Sequence, residues 1–133
     1  MNPLIRVLLL AGVGTFAAAA FAGDVRVRAV ELVAGAPGTW TAVVTLEHGD
    51  TGWEHYADAW RVVAPDGTVF ATRTLYHPHE TEQPFTRQLS GIAIPAAVTR
   101  VMVEAHDKVH GWSPQRLEVD LSKASGGRVK VTD

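Results

Sequence analysis

The chain has 133 residues, no cysteine and a formal net charge of −2 at pH 7. No basic excess favours nucleic acid or an anionic lipid surface, and without thiols neither disulfide staples nor thiolate chemistry are available. With 47% hydrophobic residues the chain can build one modest core, held by packing alone.

Arg6 precedes an apolar run from Val7 to Ala20, and Ala20-Phe21-Ala22 forms a small-x-small cleavage site. The pattern is that of a secretory signal peptide over residues 1–22, with Gly23 the first mature residue. The run is too short and too rich in Ala and Gly for a membrane span. The expected product is therefore periplasmic or secreted, with no membrane attachment once the leader is gone. A single domain is expected over residues 23–122, followed by a polar C-terminal tail over 123–133.

Short alternating runs separated by turn signals predict an all-β domain. The first run, Val25 to Val33, is apolar at Val25, Val27 and Ala29 and then switches face to Val30 and Leu32, as a strand with a bulge does. After the turn Gly35–Gly38, the residues Trp40, Ala42, Val44 and Leu46 share one face of a second strand. The third runs from Asp58 to Val63 and the fourth from Thr68 to Tyr76, joined by the Pro65-Asp66-Gly67 turn. Phe85–Ile92, Val98–Ala105 and Arg116–Leu121 complete the set, and Val129 and Val131 in the tail could add an edge strand. Seven such strands fit an antiparallel Greek-key β-sandwich of immunoglobulin-like type.

If consecutive strands run antiparallel, the loops alternate between the two ends of the sandwich. The short turns at 35–38, 65–67 and 94–97 fall at one end, and the longer loops 48–56, 77–85 and 106–114 at the other. All six histidines (His48, His55, His77, His79, His106 and His110) lie in the second group or at its edges. Converging imidazoles bind zinc or copper(II), with carboxylates filling the remaining positions. With no cysteine, a His/carboxylate site is the kind of transition-metal site open to this chain. The candidate ligands are His77, His79, His106 and His110, with His55 as a fifth. Pro78 stiffens the His77-Pro78-His79 segment, and Glu80 and Asp107 are placed to orient imidazoles from outside the ligand set. His48, at a strand end, is expected only to hydrogen-bond neighbouring carbonyls.

Polar loops also collect such residues without acting. The competing expectation is a contact module for a periplasmic protein or small ligand, with Trp53, Tyr56, Glu82 and Trp112 as its patch. Trp53 and Trp112 would cap the end of the core or shield a site. Catalysis finds no local signature, because neither Ser90 nor Ser113 sits in a nucleophile motif.

Three segments carry a resemblance. They are His55-Tyr56-Ala57-Asp58-Ala59-Trp60-Arg61-Val62 with Ala64-Pro65-Asp66-Gly67-Thr68, then Leu75-Tyr76-His77-Pro78-His79-Glu80 with Glu82-Gln83-Pro84-Phe85-Thr86-Arg87, and Val103-Glu104-Ala105-His106-Asp107-Lys108-Val109-His110-Gly111-Trp112. Together they resemble an uncharacterised family of small exported bacterial proteins. The resemblance implies an export route and an immunoglobulin- or fibronectin-III-like sandwich, and it carries no catalytic or metal residues with it.

Overall fold

The computed structural model describes residues 23–133, so the leader expected over 1–22 lies outside the described residues. Eight strands follow one another: β1 Arg26–Ala34, β2 Thr39–Glu47, β3 Ala57–Val63, β4 Val69–Thr74, β5 Phe85–Ala93, β6 Arg100–Asp107, β7 Gly111–Asp120 and β8 Arg128–Thr132. They form two four-stranded sheets, ordered β5-β2-β1-β8 and β4-β3-β6-β7, and every pairing is antiparallel.

Alternation decides which side chains meet between the sheets. From the first sheet come Val30, Leu32, Ala42, Val44 and Leu46; from the second come Trp60, Val62, Val101, Val103 and Ala105, all buried. Each buried Val or Leu among them stabilises the fold by roughly 1.5–3 kcal/mol. The face switch expected in the first strand occurs as a bulge between Val27 and Ala29, which lets Val25, Val27, Val30 and Leu32 all point inward. At that bulge the Gln115 side chain stands in for a strand partner: its Oε1 accepts from Val27 N at 2.8 Å and its Nε2 donates to Val27 O at 3.0 Å. The start of β1 is thereby tied to β7.

Two expectations need correction. There are eight strands, not seven, the eighth being the edge strand that Val129 and Val131 allowed for, and the last large strand begins earlier than expected. Val129 and Val131 pack against the core as β8 pairs with β1, and Asp133 accepts from Arg26 and Arg28. The last large strand also starts earlier than Arg116, at Gly111, so the expected loop 106–114 shrinks to Lys108–His110. Gly111 turns there with φ of 78°, a conformation glycine adopts without steric cost. The Asp107 carboxylate accepts the Val109 and His110 amides, closing the turn.

The loop parity expected from the strand count holds. Backbone bonds such as Lys108 N to Tyr56 O gather the turns 48–56, 75–84 and 108–110 at one pole, and Ile94 N to Gly38 O joins two of the turns at the other.

Trp60 is fully buried at the centre of the core, and its indole N–H has no hydrogen-bond partner among the described residues. Packing, not polar contact, is what it contributes. We expect Trp60→Ala to cost about 3–5 kcal/mol in urea denaturation. Trp60→Phe should cost a fraction of that, because no buried hydrogen bond is lost; equal losses would show a polar role for the indole.

Candidate functional site

The inward faces of β2 and β6 each run one residue beyond their apolar positions. On β2, Ala42, Val44 and Leu46 lead to His48; on β6, Val101, Val103 and Ala105 lead to Asp107. Both residues are buried, so an imidazole and a carboxylate close the core at this pole. β6 therefore carries Asp107 inward, and His48 follows directly on the end of β2.

Asp107 has no exposed side-chain surface and is ringed by three histidines. Its Oδ1 lies 3.1 Å from His55 Nε2 and 3.1 Å from His110 Nδ1; its Oδ2 lies 3.3 Å from His110 Nδ1 and 4.0 Å from His48 Nε2. The His48 and His55 rings meet edge to face at 4.7 Å, and His55 and His110 at 5.1 Å.

A second buried carboxylate stands behind His48. Asp50 Oδ1 accepts from His48 Nδ1 at 2.5 Å and from Ala57 N at 3.0 Å, and its Oδ2 accepts from His79 N at 2.7 Å. Asp50 thus ties the loop after β2 to β3 and to the loop before β5. Gln83 reinforces that tie, accepting from His48 N and donating to His79 O.

Hydrogen-bond chemistry assigns the protons. A carboxylate and a carbonyl only accept, so His48 donates from Nδ1 to Asp50 and from Nε2 to Gly23 O, 3.1 Å away. His48 is then an imidazolium lying between two buried carboxylates. Burial pulls its pKa down, but the hydrogen bond and charge of Asp50 and the charge of Asp107 outweigh this and raise it. Burial likewise pushes Asp50 up, against the stronger pull of His48 and of the His79 and Ala57 amides, and it ends lowered. Asp107 follows the same logic, with burial opposed by the His110 and Val109 amides and by the His110 imidazole.

His79 is a different case. The Arg87 guanidinium, which can only donate, reaches its Nε2 at 2.8 Å, so that nitrogen accepts and Nδ1 carries the proton. The ring stacks on Phe85 at 4.0 Å. Burial, Arg87 and His77 all lower its pKa and hold it neutral.

Of the five histidines expected as ligands, the structure brings His55 and His110 together on Asp107. The other three lie elsewhere. His77 is exposed, with its Nδ1 at 3.1 Å from Pro78 O. His79 is engaged by Arg87. His106 occupies an outward position of β6, donating from Nδ1 to Asp58 at 2.5 Å and meeting Trp112 edge to face. Among the described residues, two groups of possible ligand atoms lie within 4.8 Å of one another: His48, His55 and Asp107; and Asp24, Asp107 and His110. Asp107, expected to orient imidazoles, is the carboxylate that both groups share, and Asp50 is the carboxylate hydrogen-bonded to His48. Glu80 is exposed and lies over Gly52.

The aromatic patch also divides. Trp53 is 64% exposed and touches Tyr56 edge to face, so it does not cap the core. Trp112 lies on the outer face of the second sheet under the Arg61 guanidinium, 3.7 Å from its ring centre. Glu82 pairs with Arg87 at 3.6 Å.

The charges set a pH profile. Asp50 and Asp107, lowered, stabilise the fold above the ordinary carboxylate value of 3.8 and cease to as pH falls through their folded values. His79, also lowered, favours the fold once neutral, so stability rises with pH up to the ordinary imidazole value of 6.5. His48, raised, stabilises fully below 6.5 and loses its contribution as pH climbs through its folded value. Urea midpoints of chelator-treated protein between about pH 4 and pH 9 should therefore peak near 6.5. His48→Asn should remove the alkaline fall. A stability that keeps rising above pH 6.5 in the unmutated chain would contradict the imidazolium assignment.

A protein of Halomicrobium mukohataei named "Putative lipoprotein" is 43% identical to the chain over 82 residues, 62% of this chain and 40% of that relative. The chain therefore covers less than half of the relative's length. No family model and no solved structure matches the chain.

Proposed function

We propose that the chain is an exported, immunoglobulin-like β-sandwich protein that binds a divalent transition metal, zinc or copper(II), at its histidine pole. The ligands are His48 Nε2, His55 Nε2 and the Asp107 carboxylate, whose donor atoms lie within 4.8 Å of one another, and His110 Nδ1 contacts the same carboxylate. The leader pattern supports export, as does the word lipoprotein in the relative's name.

One observation carries the metal reading. Asp107 is a fully buried carboxylate, and among the described residues every ion-pair partner of Asp107 and of Asp50 is a histidine. Buried carboxylates need positive charge close by. Lysine or arginine would supply it permanently, whereas imidazoles supply it only while protonated. Near neutral pH and above, a divalent cation can take over that role and release the protons.

Geometry favours the exchange. Ligands at about 2.0–2.1 Å from a tetrahedral ion stand roughly 3.3 Å apart. His55 Nε2 already sits 3.1 Å from Asp107 Oδ1, and His48 Nε2 must close in from 4.0 Å. Asp50 completes the arrangement. By fixing the proton on His48 Nδ1 it leaves Nε2 to coordinate, the carboxylate–histidine–metal relay found at many metal sites.

A second reading, a contact module, has one observation behind it. Trp53, Tyr76 and Val109 are 64%, 73% and 59% exposed, and all three belong to the loops of this pole. Exposed apolar groups clustered at one end can mark a protein-binding surface.

Calorimetric titration of the chain beginning at Gly23 tests the metal reading. One equivalent of zinc or copper(II) should bind more tightly than about 1 μM at pH 7.5, weakening as pH falls below about 6.5. His55→Gln/His110→Gln should lose at least about tenfold in affinity, and His77→Ala/His106→Ala should lose none. Absence of micromolar binding, or equal affinity in the first pair, overturns the reading. A contact surface needs no metal, so that result would also favour the second one.

A further inference from the structure

Gly23 and Asp24 directly follow the expected leader, and both reach the cluster. Gly23 O accepts from His48 Nε2 at 3.1 Å, and the Asp24 carboxylate shares a group of close ligand atoms with Asp107 and His110. Their position is set by the fold. Val25 is fully buried, and Gln115 holds Val27 through both its backbone polar groups.

The sequence pattern puts the leader cleavage site at the same place, between Ala22 and Gly23. From these two facts we infer that removal of the leader completes the metal site, the new α-amino group of Gly23 joining its carbonyl oxygen as a ligand pair. The inference rests on the metal reading above and deepens it. Hydrolysis adds water across the Ala22–Gly23 bond, leaving a carboxylate on Ala22 and an ammonium on Gly23. The ammonium then gives up one proton as its lone pair takes the cation.

The chemistry is specific to the cleaved form. Before cleavage the Gly23 nitrogen is a peptide nitrogen, whose lone pair is delocalised and donates poorly. After cleavage it is an amine with an ordinary pKa of about 7.7–8.0, which deprotonates readily beside a divalent ion. Amine nitrogen, Cα, carbonyl carbon and oxygen close a five-membered ring with the metal. Backbone bond lengths keep that nitrogen within roughly 7 Å of His48 Nε2, given the position of the carbonyl. Glycine carries no side chain to obstruct the approach. The unprocessed precursor would lack the amine and bind weakly, so high-affinity uptake would be confined to the exported, processed protein.

The test compares three forms of the chain: one beginning at Gly23, one acetylated at Gly23, and one extended by Ala22. Each is titrated with zinc and copper(II) under identical conditions, and mass spectrometry of the exported protein fixes its first residue. The exported chain should begin at Gly23, and the free-amine form should bind at least about tenfold more tightly than the other two. Equal affinity in all three forms, with binding still sensitive to His55→Gln/His110→Gln, overturns the role of the amine and leaves the metal reading intact. Absence of binding in every form overturns both. An exported chain beginning elsewhere overturns the inference alone.

Discussion

The pole is organised by a carboxylate that the strand geometry forces inward. Asp107 follows Val103 and Ala105 on the buried face of β6, so pairing with β3 and β7 carries it to the end of the core, away from water. A charge in that position must be compensated by its neighbours. It takes two turn amides, two imidazoles in hydrogen-bond contact and a third imidazole at 4.0 Å, and these contacts determine how the loops close. The tight turn Lys108–His110, the inward placement of His55 and the burial of His48 each answer the same need.

Asp50 extends that logic across the pole. It holds the far nitrogen of His48, receives the amides of Ala57 and His79, and so connects segments that no β-ladder joins. The result is a polar layer laid over an apolar core, in which, among the described residues, the ion-pair partners of both carboxylates are histidines. Such a layer is stable only over a limited pH range. Arg87 stands at its edge and spends its charge on His79, holding that ring neutral.

Much of the architecture was legible in the residues. The bulge after Val27, the inward faces of β2 and β3, the Pro65–Gly67 hairpin and the gathering of histidines at one end all follow from period-two alternation and loop parity. Strand β8 was visible only as Val129 and Val131, because a polar tail with alternating valines reads equally as loop or edge strand. The site was legible in principle but not from composition. Continuing the alternation of Ala42, Val44 and Leu46 by one step reaches His48; continuing that of Val101, Val103 and Ala105 reaches Asp107 and turns His106 outward. Histidine spacing pointed instead to His77 and His79, whose surroundings depend on Asp50 and Arg87, contacts far apart in sequence that no local pattern reveals.

His48 and His55 both face Asp107, and under the proposal a divalent cation takes the place of the protons between them. Imidazole nitrogen NMR of the chain beginning at Gly23 measures this directly, first free of metal near pH 6 and then with one equivalent of zinc. The expected result is a His48 protonated on both nitrogens without metal. With zinc, the Nε2 signals of His48 and His55 should move to metal-bound positions while those of His77 and His106 stay unchanged. A His48 that is neutral at pH 6, or a zinc response that begins at His77 or His106, would contradict the claim.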